Sequence, residues 1–95
     1  MRRAARTDAN HAEIVKAARK MGCTVLDLSG VGSGCPDLLV SIQGKNLLIE
    51  VKDSAKPPSA RKLTPDQIKF HAAWKGPIAI VESVADLVEI VRMQP

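Results

Sequence analysis

Apolar positions recur along this chain at two periods. Ile14, Ala17, Ala18 and Met21 fall at i, i+3, i+4 and i+7, which predicts a helix from about Asp8 to Met21. Thr7 or Asp8 is placed to cap its start, and Gly22 to end it. The runs "CTVLDLS" (23–29), "DLLVSIQ" (37–43), "LLIEVK" (47–52) and "IAIVE" (78–82) are rich in β-branched and apolar residues and predict four strands. The short "QGKN" link makes the second and third strands an antiparallel hairpin. "LTPDQ" opens another helix, running to about Lys75, with Thr64 at its cap, Pro65 at N1 and Gln67 at N3, the signature of a capping box. Ser83 caps a last helix in which Val84, Leu87, Val88 and Val91 share a face. The order is helix, three strands, helix, strand, helix: an α/β fold with a mixed sheet.

The alternation within "LLIEVK" separates core from chemistry. Leu47, Ile49 and Val51 point one way, while Leu48, Glu50 and Lys52 point the other. In an antiparallel hairpin, Asp37 at the start of the second strand lies beside Glu50 near the end of the third. Two carboxylates held together repel unless a cation separates them. Mg²⁺ or Mn²⁺ takes hard oxygen ligands, and Asp37, Glu50 and the backbone carbonyl of Val51 offer three. Lys52 stands where it can orient a water or balance charge on a reacting phosphate. The plain alternative is a solvated Glu50–Lys52 pair and a turn aspartate, and the combined spacing favours a site.

The glycines of "GVGSGCPDLLV" invite a different reading, a phosphate cradle. Such a cradle leads straight into a helix, whereas this one leads into Pro36-Asp37 and a strand, with no Gly-Lys-Ser/Thr. No nucleotide cofactor is expected. The glycines instead bring the chain round to deliver Asp37.

The 95 residues are 45% hydrophobic and carry a net charge of +4, which fits one domain, 1–95, with a modest core and a polyanionic partner such as DNA. Positive residues gather at Arg2, Arg3, Arg6, Lys16, Arg19 and Lys20, and again at Lys52, Lys56, Arg61 and Lys62. Lys56, Arg61 and Lys62 lie on the polar loop beside the expected site and are candidates to bind DNA phosphates, with Ser33 of the glycine loop. The two aromatic residues, Phe70 and Trp74, are too few for single-strand stacking platforms, and fit core or dimer contacts better. His11 and His71 read as packing or interface residues. Cys23 and Cys35 have no metal-site spacing and read as reduced thiols. No run is long and apolar enough to span a membrane, and "MRRAARTDANHAEIVKAARK" has no signal core, so a cytoplasmic location is expected.

"CPDLLV" together with "LIEVK" resembles the PD-(D/E)xK nuclease superfamily, and "EVKDSAKPPSARKLTPDQIKFHAAWKGPIAIVES" resembles its virus-type replication-repair nuclease branch, VRR-NUC. The likeness runs from the first helix to the fourth strand. It implies a restriction-endonuclease-like αβββαβ core, a central mixed four-stranded sheet flanked by helices. It also implies a Mg²⁺- or Mn²⁺-dependent DNA nuclease with catalytic residues Asp37, Glu50 and Lys52. Glu13 matches an acidic residue of the first helix that assists the metal, and Gln67 a position near the site. Stand-alone phage and bacterial members resemble Holliday-junction resolvases and act as homodimers, which suggests branched DNA as substrate and the bacterial or phage-infected cytoplasm as location. The expected dimer contacts are Phe70 and Trp74, with Val88 and Val91. A nicking or flap nuclease without junction preference, and a non-catalytic DNA-binding module, are the alternatives.

Overall fold

A computed structural model describes residues 8–93 of the chain. Its elements follow the expected αβββαβ order: α1 (His11–Lys20), β1 (Thr24–Asp27), β2 (Leu38–Ile42), β3 (Lys45–Val51), α2 (Pro65–Ala73), β4 (Ile78–Val81) and α3 (Val84–Arg92). A short 3₁₀ turn, Pro58–Ala60, interrupts the long loop before α2. The four strands form one mixed sheet in the order β1-β2-β3-β4. The first three are antiparallel neighbours and β4 runs parallel to β3. This is the restriction-endonuclease-like core.

Local chemistry sets the boundaries. The β2–β3 hairpin turns on Gln43 and Gly44, both at positive φ (51° and 77°), the geometry a two-residue turn needs to match strand twist. β1 stops at Asp27 because that carboxylate folds back to accept from the Ser29 backbone N–H and hydroxyl, at 2.9 and 2.6 Å. Gly22, at φ 92°, follows α1 as expected. The start of α1 differs from expectation. The helix begins at His11, not Asp8, with Asn10 in the cap position and no side-chain cap bond. The Asn10 amide is engaged elsewhere: it donates to the carbonyls of Lys52 (3.0 Å) and Glu82 (3.2 Å), tying the head of α1 to the ends of β3 and β4. Thr7, the other expected cap, and the charges at Arg2, Arg3 and Arg6 lie outside the described residues.

The two faces of the sheet have different uses. Leu38, Val40, Leu47, Ile49, Val51 and Val81 meet Ile14 and Ala18 of α1 and Leu87 and Val91 of α3 in one core cluster. Val91, expected at a dimer surface, is therefore a core residue, 7% exposed, because it faces the sheet. The cross-strand row Leu26–Leu39–Leu48–Ile78 belongs to the opposite face. Continuing along β3, that face carries Glu50 and then Lys52, under the first turn of α2. α2 itself contributes no buried residue. Its Phe70 and Trp74 rings stack with centroids 5.4 Å apart, and Trp74 remains 45% exposed.

Ile49 has no exposed surface at the centre of the core cluster. Ile49→Ala is expected to lower unfolding free energy by about 3 kcal/mol through lost burial plus an unfilled cavity. Urea titration checks this, and a loss under about 1 kcal/mol would show that α1 and α3 do not clamp the sheet as described.

Candidate active site

The glycine loop delivers Asp37 by a close approach. Gly32, Ser33 and Gly34 all have positive φ (78°, 57° and 81°), and the Cys35 N–H closes the loop on the Gly32 carbonyl at 3.1 Å. Gly34 is the position where glycine is required for space as well as conformation. A Cβ there would lie 2.6 Å from the Asp66 carbonyl carbon in the first turn of α2. The loop thus serves as the seat of α2 and leads through buried Pro36 into Asp37.

At Asp37 the hairpin register does what the pattern predicts. Leu38 pairs with Ile49, so one step further Asp37 faces Glu50. Asp37 Oδ2 accepts from the Val51 N–H at 2.8 Å, which fixes the carboxylate on β3. Glu50 is 2% exposed and Lys52 8%. Lys52 Nζ lies 3.8 Å from Glu50 Oε2. Gln67 joins them: its Nε2 donates to Glu50 Oε2 at 3.0 Å, and its Oε1 accepts from Lys52 Nζ at 2.9 Å. Together with Asp8 and Lys56 these residues line a polar cleft of about 470 Å³.

The electrostatics of the cleft are unbalanced. Burial, then the adjacent Asp37 charge, push the Glu50 carboxyl up to about 8, against the partial relief from Lys52. Glu50 Oε1 is buried and has no hydrogen-bond partner. A buried, unpartnered carboxylate oxygen beside a second carboxylate is what a divalent cation satisfies, so the donor set fits a hard metal ion. Among the described residues no group of three or more His, Cys, Asp or Glu side chains stands in metal-ligand arrangement. The two carboxylates would therefore share an ion with backbone or water oxygens, as Mg²⁺ commonly does.

No family profile and no curated protein matches this sequence. A solved structure titled "VRR_NUC domain" does match, with a TM-score of 0.68 and 26% identity, covering 93% of this chain and all of that one. This likeness supports assignment of the chain to the VRR-NUC family of PD-(D/E)xK nucleases.

In this chain the structure gathers Asp37, Glu50, Lys52, Gln67, Val51 and Lys56 at one cleft. Glu13 does not line it and is exposed on α1. The helix period turns position 13 away, and the acidic residue at the head of α1 that does reach the cleft is Asp8, paired with Lys56. The sequence marks Asp8 only as a candidate helix cap, because it lies before the first apolar repeat. Arg61 is engaged by Glu82 at 3.3 Å and is not a cleft residue, while Lys62 and Ser33 are exposed nearby in sequence. His71 is held toward its neutral form by burial and by the charge of Lys52. His11 meets Asp27 at 3.1 Å, and the ionised Asp27, whose pKa falls to about 2 through its Ser29 hydrogen bonds, belongs to β1 and not to the cleft. A larger hollow of about 560 Å³ runs along α1 past Lys16, Arg19 and Lys20. Arg19 and Lys20 occupy the last turn of α1, where cations offset the helix dipole.

Glu50 sets a pH signature. Its folded-state pKa of about 8 lies above the ordinary 4.5, so between those values the metal-free folded protein holds a proton that the unfolded chain has released. Stability of the metal-free protein is therefore expected to fall as pH rises through this window, and Glu50→Gln to flatten the fall. Thermal melts in chelator across the window check it. Parallel curves for the two proteins would remove Glu50 as the source.

Proposed function

We propose that this domain is a Mg²⁺- or Mn²⁺-dependent endonuclease that hydrolyses phosphodiester bonds in branched DNA, in the manner of a Holliday-junction resolvase, as a homodimer. The observation that carries the catalytic part is the pairing of Asp37 with Glu50, one oxygen of which is buried and unpartnered, beside the ammonium of Lys52. When bound, a divalent cation would supply an acidified water and polarise the scissile phosphoryl group. Asp37 and Glu50 would hold that ion, with the Val51 carbonyl as a further oxygen. Lys52, held between Glu50 and Gln67, would meet the charge that develops on the phosphate. Gln67 fixes both side chains. Asp8 closes the cleft on the α1 side and is an additional acidic group near the ion in place of Glu13. Exposed Lys62 and Ser33, and Lys56 once a phosphate competes with Asp8, would track the DNA backbone.

The dimer reading is supported by apolar surface that α2 leaves open. Leu26, Ile68, Trp74 and Ile80 are all exposed, and Leu26 and Ile80 belong to the sheet face on which α2 lies. Two copies related by a two-fold axis would bring two sites to a two-fold symmetric junction. Phe70 and Trp74 remain the favoured contacts, joined by Ile68 and Ile80, and Val91 is withdrawn from the set.

Cleavage of a four-way junction, a flap and a linear duplex, with light scattering on the same sample, tests this. Paired incisions selective for the junction, Mg²⁺ dependence, a dimer mass and loss of cleavage in Asp37→Asn are expected. Asn keeps an acceptor for the Val51 N–H, so the fold is retained while the charge is removed. Equal cutting of all three substrates by a monomer would favour the nicking or flap reading. Full activity in Asp37→Asn would defeat the site.

A further inference from the structure

Thr64 touches neither Glu50 nor Lys52, yet the hydrogen bonds of the cleft lead back to it. The capping box of α2 is complete: the Gln67 backbone N–H donates to Thr64 Oγ1 at 3.2 Å, and the Thr64 backbone N–H donates to Gln67 Oε1 at 2.9 Å. The same Oε1 accepts from Lys52 Nζ. Two donors therefore converge on one amide oxygen. Turned over, the amide would present its own N–H groups to both donors, so the cap permits only one orientation. That orientation aims Nε2 at Glu50 Oε2 and leaves Glu50 Oε1 as the unpartnered oxygen. The cap thereby determines which carboxylate oxygen of Glu50 is hydrogen-bonded and which is left unpartnered.

This turn of α2 has little else to hold it. No residue of the helix is fully buried, and the backbone of its first turn sits against Gly34. The cap that elsewhere only begins a helix is here also the mount of the cleft. We propose that Thr64 is a positioning residue for the reaction, acting through Gln67 on Glu50 and Lys52. The proposal rests on the nuclease reading for its kinetic consequence, though not for its structural one.

Ser83 supplies the control. It caps α3 in the same way, accepting from the Asp86 N–H at 3.1 Å, and it is not a cleft residue. Thr64→Ala is expected to lower kcat about five- to tenfold with KM for DNA nearly unchanged, the size of a lost cap expressed in the rate. Thr64→Ser should restore it, and Ser83→Ala should leave kcat at the wild-type value. Because no residue of α2 is fully buried, Thr64→Ala should leave the core folded. A kcat loss in Thr64→Ala no greater than in Ser83→Ala, or no recovery in Thr64→Ser, overturns the proposal.

A second readout needs no activity. The buried Lys52 ammonium should give a protected proton resonance in wild type and Ser83→Ala, and the protection should be lost in Thr64→Ala. Unchanged protection in Thr64→Ala overturns the proposal. Should the wild-type protein cut no DNA, the nuclease reading fails, and the Lys52 resonance alone decides the role of Thr64.

Discussion

The site depends on the enforced proximity of two carboxylates. Asp37 cannot retreat, because its Oδ2 is bound to the Val51 N–H, and Glu50 cannot retreat, because its strand lies between two neighbours in the sheet. Left alone, such a pair raises the energy of the folded chain, and burial together with the Asp37 charge pushes the Glu50 carboxyl up. Lys52 and Gln67 relieve one oxygen of Glu50 and leave the other unpaired. The fold therefore stores an electrostatic demand at the cleft, of the kind a divalent cation would meet.

β3 makes this arrangement possible because it serves two environments. Its odd-numbered apolar residues close the core against α1 and α3, and its even-numbered residues turn from Leu48 packing to Glu50 and Lys52 chemistry along one face. Both faces are covered, which is why Glu50 and Lys52 are buried despite their charge. The cover on the second face comes from α2, whose Gln67, Phe70 and His71 are partly buried. Gly34 lets α2 sit close, and Thr64 and Gln67 fasten it. Beyond its first turn α2 leaves apolar surface open, which connects the geometry of the cleft to the assembly of the protein.

Much of this was legible in the chain because period and punctuation agree. The alternation of "LLIEVK" and the Thr64–Gln67 box appear as expected, and the "QGKN" link does make a hairpin, though it tightens to a two-residue turn with Lys45 and Asn46 in β3. The glycine loop leads into a strand and not into a helix, as its sequence predicts. Tertiary matters were less visible. Asn10 lies within the helix expected from Asp8, and nothing local in the sequence shows its reach to the Lys52 and Glu82 carbonyls at the true start of α1. Asp8 lies before any periodic pattern, so nothing local distinguished it from Glu13 as the acidic residue nearest the cleft. Val91 shares a helical face with Val88, and only the docking of α3 on the sheet separates the core member from the half-buried one.

The central claim is that Asp37 and Glu50 form the seat of a divalent cation. The direct measurement is the melting temperature at neutral pH in chelator and then in millimolar Mn²⁺ or Mg²⁺, for wild type and for Asp37→Asn. An ion that binds only the folded state must raise the wild-type transition as its concentration exceeds its dissociation constant. The account predicts such a rise in wild type and its loss in Asp37→Asn. A wild-type transition indifferent to either ion, or one that shifts equally in the variant, would contradict it.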